Sequence, residues 1–182
     1  AMRALPLGVP KVMVSTLAAG DTAAYVGDKD IVLIPSVVDV AGVNRISARI
    51  YANAVGAIVG MVETTAPVIE EKLLIAASMF GNTTKLVEQC QALLANRGYE
   101  VLVFHSTGAG GKTMESLINE GYFQAVLDVT TTELADELVG GMLSAGPGRM
   151  DGAAKQNIPQ VIAPGCLDMV NYWAPDTVPA RF

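Results

Sequence analysis

The chain has 182 residues and a mass of 19.0 kDa, which suits one domain with room for a small extra lobe. Apolar residues make up 51% and charged residues 16%, so a sizeable core is within reach, and the low charge density leaves surface for a dimer or interdomain contact. A net charge of −6 without any lysine- or arginine-rich stretch argues against general nucleic-acid binding, which depends on neutralising phosphates.

Two distant cysteines, Cys90 and Cys166, and the single histidine, His105, lack the spacing of a zinc site. No apolar run reaches the roughly 18 residues a membrane helix needs. Reduced thiols without a signal peptide suggest the cytosol. Ala1 ahead of Met2 reads as a remnant of expression, and the Pro-rich close at Arg181-Phe182 suggests a domain cut from a longer protein.

In chain order, Lys11 to Leu17 reads as a first buried strand, followed by a loop rich in glycine and aspartate, and Ile31 to Pro35 as a second strand. A long helix is expected from about Val43 to Val62, with Ile46, Ile50, Ala54, Ala57, Ile58 and Met61 on one face. Leu73 to Ala77 forms a third strand. Asn82 or Thr83 caps the next helix, whose buried stripe is Leu86, Val87, Cys90, Leu93 and Leu94 and which ends at Gly98. Val101 to Phe104 is the fourth strand. After the small-residue loop Ser106 to Gly111 comes a helix carrying Met114, Leu117 and Ile118, with Gly121 at its end. Ala125 to Val129 is the fifth strand, and Thr130 with Glu133 has capping-box spacing for a helix through Val139. A short helix to about Gln156 leads to a sixth strand, Gln160 to Ala163.

Strands alternating with helices, without a period of two, predict an α/β fold: a mainly parallel, Rossmann-like three-layer sheet with helices on both faces. Residues 1–70 are expected to be linking strands and a long helix completing a neighbouring domain, and residues 71–182 the Rossmann-like domain. In such sheets ligands bind beyond the carboxyl ends of the strands, where the small and polar residues of this sequence gather.

The stretch Val101 to Glu120, strand then glycines then helix, has the layout of a phosphate cradle, because backbone amides and a helix start face an anion there. It matches no named pattern. Gly111-Lys112-Thr113 fits the end of a P-loop, but Ser106 stands where its first glycine belongs; Gly108 and Gly110 fit a dinucleotide fingerprint, but Thr113 replaces the third glycine. Such a loop serves anion binding or plain structure. Gly110 is expected to need a positive φ, so a β-branched residue there should weaken anion binding more than folding. Lys112 pairs with a phosphate or is solvated. His105 is weighed as a hydrogen-bonding strand end against an acid–base group, and Thr130 to Thr132 as helix caps with one hydroxyl free for a ligand. Glu133 is read as the capping-box acid, Asp136 and Glu137 as solvated helix face, and Cys166 as a nucleophile only if a base accompanies it.

TGAGGKTMESLI, TTTELADELVGGMLSAGP and PGCLDMVNYW, with STLAAGDTAAYVG and PSVVDVAGVNRIS upstream, resemble the UPF0261 family over nearly the whole chain. The resemblance implies a two-domain, Rossmann-like, ATP-binding protein, often dimeric, extending beyond this chain at both ends. Carried over by position, it implies nucleotide contacts at Gly81, Asn82, Thr83 and Thr84; at Thr107, Gly108, Ala109, Gly110, Gly111 and Lys112; and at Ser144, Ala145 and Gly146, with Mg accompanying ATP. The antiviral action of the family's plant member depends on one partner and is not carried over. The reaction stays unassigned. Two other readings remain open: a sugar-phosphate or acyl-phosphate enzyme using the same loops, and a non-catalytic dimerisation or protein-interaction module.

Overall fold

The computed structural model describes residues 2–182 and divides into two compact units, Ala1–Ile69 and Glu70–Phe182. Every strand pairing is parallel.

In the first unit, β1 (Val12–Ser15) pairs with β2 (Val32–Pro35), from Val12 opposite Val32 to Ser15 opposite Pro35. The first strand is shorter than the sequence suggests. Ser15 Oγ accepts from the Leu17 amide, which turns Thr16–Ala19 into a 3-10 turn. A one-turn helix, α1 (Ala23–Val26), follows and ends at Gly27, whose φ is +63°. The long helix, α2 (Ser47–Glu63), begins four residues later than expected. The reason is local: Asn44 Oδ1 accepts from the amides of Ile46 and Ser47 while Ser47 Oγ accepts from the Asn44 amide, a reciprocal cap that holds Val43 to Ile46 outside the helix. Lys11 is buried, and its ammonium donates to the carbonyls of Pro6 and Val9 at 2.7 and 2.8 Å and pairs with Asp30 at 2.7 Å.

In the second unit, β3 (Leu73–Met79), β4 (Tyr99–His105), β5 (Ala125–Asp128) and β6 (Gln160–Ile162) stand in the order β4-β3-β5-β6. The helices are α3 (Thr84–Ala95), α4 (Ala109–Asn119), α5 (Thr132–Val139) and α6 (Gly152–Lys155). Successive residues of β3 serve opposite faces. Ala76 packs with Met114 and Ile118 of α4 and Ala153 of α6, whereas Ala77 packs with Val87 of α3 and Val129. Both faces are therefore covered, in three layers, as a continuous apolar strand requires. The stripe expected on α3 is narrower than its sequence suggests: Val87 is buried, while Leu86 and Leu93 are exposed. Gly98, Gly121 and Gly140 all carry positive φ just past helices, the conformation in which glycine ends a helix at least cost.

Candidate functional site

In the order β4-β3-β5-β6 the chain leaves β3 towards one neighbour and returns to place β5 on the other side. A crevice is expected beyond the carboxyl ends of the strands where the winding reverses. Here that is the edge between the turn after β3 and the turn after β5. The two turns meet: the hydroxyls of Thr83 and Thr130 lie 2.7 Å apart, and the Thr130 hydroxyl also donates to the Ser78 carbonyl at 3.1 Å.

The expected site loops come together on this edge. Gly81, Asn82 and Thr83 form a 3-10 turn, with Thr84 opening α3. The Ser106 amide donates to the Met79 carbonyl at 2.7 Å, and the Phe80 and His105 rings meet edge to face at 5.4 Å, so the β3 and β4 turns adjoin. Gly108 lies against the loop of Ser144, Ala145 and Gly146; a Cβ on Gly108 would stand 2.8 Å from the Ser144 carbonyl oxygen. Asn82 and Lys112 are exposed.

The details depart from the sequence reading in five places. The helix α4 starts at Ala109, so Ala109, Gly110, Gly111 and Lys112 form its first turn rather than a free loop. Positive φ belongs to Gly108 (+80°), not Gly110; Gly110 is required because a Cβ there would overlap the His105 carbonyl oxygen. Thr83 does not cap α3; its hydroxyl accepts from the Phe80 amide at 2.9 Å. Thr130 and Glu133 form no capping box, because α5 begins at Thr132 and Glu133 turns inward. Asp136 is fully buried rather than solvated, accepting from the backbone amide and the side chain of Asn171 at 2.7 and 2.9 Å, whereas Glu137 is exposed and accepts from the Ser144 hydroxyl.

Where Glu133 goes decides what the glycine stretch can offer. Its Oε1 accepts from the amides of Gly108 and Gly111 at 2.7 and 3.1 Å, and its Oε2 accepts from Arg149 Nε at 2.8 Å. The start of α4 is thus capped by a carboxylate from another helix, and these two amides already serve an internal anion. Gly111 must be glycine because a Cβ would overlap that carboxylate.

Arg149 sits at the centre of a buried cluster that sequence reasoning missed. It grips Asp128 with two hydrogen bonds of 2.6 Å and reaches Glu115 at 3.2 Å. One guanidinium faces three carboxylates, and neutral donors balance the excess. Met150 and Gly152 amides donate to Glu115 at 2.7 and 2.8 Å, and Ser78 Oγ and Gln160 Nε2 donate to Asp128 at 2.7 and 3.2 Å. Burial by itself would lower the Arg149 pKa; the hydrogen bonds and charges of Asp128 and Glu133 outweigh it and hold the group above its ordinary value. The one available signal was Asp128, a carboxylate inside the apolar run Ala125 to Val129, which demands a partner.

The hydrogen-bonded chain therefore runs Thr83–Thr130–Ser78–Asp128–Arg149–Glu133 and ends on Gly108 and Gly111, fixing the floor of the edge. Thr131 and Thr132 hydroxyls donate to the carbonyls of Ala163 and Met169, so both are turned to the protein. Cys166 is 8% exposed, and burial first, with the Asp168 charge second, pushes its thiol up. No group of three or more His, Cys, Asp or Glu among the described residues is placed to hold a metal ion. No helix among them is long and apolar enough to cross a membrane.

The two candidate turns differ in how open they are. Gly81 has open space on its Cβ side, and the first amides of a helical turn lack intrahelical partners. At Gly108 and Gly111 an incoming phosphate would meet the Glu133 carboxylate instead of free donors.

Models of the uncharacterised protein family UPF0261 match this chain twice: the N-terminal domain over residues 1–67 and the C-terminal domain over residues 72–182. A UPF0261 protein of Clostridium tetani is 59% identical over 183 residues, covering 100% of this chain and 45% of its own length. One from Mesorhizobium japonicum is 50% identical over 181 residues, with the same coverage. The ToMV resistance protein Tm-1(GCR237) of Solanum lycopersicum is 43% identical over 188 residues, covering 100% of this chain and 25% of that protein. The chain thus spans less than half the length of these relatives.

Proposed function

The chain belongs to the UPF0261 family, and from that membership and the geometry above we propose that the unit Glu70–Phe182 binds a phosphorylated ligand, ATP in the first instance, at the carboxyl edge of its sheet. The observation that carries the reading is the meeting of the β3 and β5 turns where the winding reverses, with the Thr83 and Thr130 hydroxyls 2.7 Å apart. The phosphate seat is Gly81, Asn82 and Thr84 at the start of α3, and Ala109, Gly110 and the exposed Lys112 belong to the turn after β4, which adjoins the turn after β3. Gly108 and Gly111 serve as framework through Glu133. Thr107, Ser144, Ala145 and Gly146 form the neighbouring rim. Mg would enter with ATP, held mainly by its phosphates, as that ion commonly is. The three phosphates bring negative charge that exposed amides and an ammonium answer; no reaction is assigned. The protein works in the cytosol on this reading, where Cys90 and Cys166, both free, stay reduced.

The test is a thermal shift with ATP, ADP, inorganic phosphate and sugar phosphates, on the native chain and on Asn82→Ala and Gly81→Val. A ligand at about 100 times its Kd stabilises by roughly 2.7 kcal/mol. ATP is expected to raise Tm for the native chain and much less for the two variants, whose unliganded Tm stays near native. Stabilisation by sugar phosphates and not by ATP favours a metabolic enzyme using the same turns. No shift with any of them overturns phosphate binding at this edge.

One observation favours a second reading, a dimerisation or interaction module: exposed apolar side chains at Val37, Val43, Val62, Val68 and Ile69. A concentration-dependent dimer without affinity for any of these ligands would select it.

A further inference from the structure

Six arginines occur in the chain, and four of them make hydrogen bonds: Arg3 to the Ala24 carbonyl, Arg97 to that of Leu93, Arg181 to that of Val139, and Arg149 in its carboxylate cluster. Arg45 and Arg49 have no hydrogen-bond or ion-pair partner among the described residues. They stand four residues apart, Arg45 just ahead of α2 and Arg49 in its first turn, and together with Ile46 and Ile50 they line an open cavity of about 560 Å³.

Elementary electrostatics opposes that arrangement. Like charges at this spacing on a helix repel, and cations at a helix start oppose its dipole. The helix amides are not the attraction, because the Asn44 side chain already accepts from Ile46 and Ser47. What is left over is a pair of guanidinium forks facing one cavity with an apolar wall. A guanidinium matches the oxygens of a phosphate in a bidentate way, and two on one side supply the charge for a dianion.

We propose that Arg45 and Arg49 form a second anion site, carried by the unit Ala1–Ile69, that takes a phosphorylated small molecule with its phosphate between the two guanidinium groups and its organic part against Ile46 and Ile50. The recess is open to solvent, so recognition rests on the two guanidinium groups, with Ile46 and Ile50 covering one side of the ligand. The apolar wall means that an organic phosphate binds more tightly than inorganic phosphate, and the paired charges mean that added salt weakens both.

The experiment is a titration of the native chain with inorganic phosphate and, separately, with phenyl phosphate, read through the arginine Nε–Hε resonances and by calorimetry. Expected are saturable shifts at the Arg45 and Arg49 resonances, tighter binding of phenyl phosphate, and a loss of about tenfold or more in affinity for Arg45→Gln and for Arg49→Gln. Both side chains are exposed, so each variant keeps its fold, and relief of the repulsion raises its unliganded Tm slightly. Arg97→Gln, an exposed arginine outside the cavity, leaves the affinity unchanged, which separates this site from diffuse charge; shifts read at the Arg45 and Arg49 resonances themselves report this site apart from the sheet edge. Absence of saturable shifts up to tens of millimolar ligand overturns the proposal. Shifts of the remaining arginine resonance that keep native affinity in both Arg45→Gln and Arg49→Gln, or that Arg97→Gln weakens equally, overturn it as well.

Discussion

Arg149→Met would leave Asp128 and Glu133 in the interior with no guanidinium to answer them. Breaking a buried pair by removing one partner costs about 3–5 kcal/mol, because an uncompensated charge remains. The urea midpoint is therefore expected to fall sharply with an unchanged m-value, and Arg149→Lys is expected to recover only part, since an ammonium cannot make the two 2.6 Å bonds to Asp128 and still reach Glu133. An unchanged midpoint would mean that the cluster contributes nothing. Cys166 supplies a second test. Its raised pKa means less thiolate at neutral pH than an ordinary cysteine has, and the thiolate is the species that attacks. Disulfide reagents are expected to label it slowly at pH 7 in the folded chain and faster in urea, with the gap narrowing as pH rises. The sign for stability is the same: the contribution is complete below the unfolded value and is lost as pH climbs through the folded one. Equal labelling rates in the folded and unfolded chain at pH 7 would refute it. At this scale the sequence was least legible. A lone arginine in Gly-Pro-Gly-Arg reads as solvated, and nothing in its neighbours reveals Asp128, 21 residues away in the chain.

Most elements were legible, because apolar runs and glycine stops depend on neighbours in sequence. The start of α4 was not. Its first turn looks like a loop by composition, and it is helical because Glu133 satisfies the Gly108 and Gly111 amides from another element. The same geometry changes what a mutation at Gly110 does. The close approach is to the backbone of His105, which cannot rotate away, so Gly110→Ala is expected to destabilise the fold by about 1–3 kcal/mol and Gly110→Val by more. Binding should weaken only in proportion to the folded fraction. Chemical denaturation alongside ligand titration separates the two. A Gly110→Ala chain that keeps its stability and loses affinity would restore the glycine stretch as a direct phosphate contact.

Across the whole molecule the apolar material is unevenly spent. Among the described residues, Ala54 is the buried apolar residue of the unit Ala1–Ile69, whose other buried positions are Lys11, Ser36 and Ser47. Its sheet has two strands of four residues, and an isolated pair of that size is marginal in water. The unit Glu70–Phe182 holds Ala76, Ala77, Val87, Met114, Ile118, Phe123, Val126 and Val129 in clusters on both faces of a four-stranded sheet. Binary pattern read from sequence marks both units as α/β but does not weigh their cores, since it counts apolar residues without knowing which meet a partner. Opening free energies should follow the burial. In native-state hydrogen exchange, amides of β3, β5 and α4 are expected to exchange only with global unfolding. Those of β1, β2 and α2 are expected to exchange through local opening, faster on the order of a hundredfold or more, the ratio given by a difference of about 3 kcal/mol in opening free energy. If β1 and β2 prove as protected as β3, the first unit is held by something other than the packing of its own core.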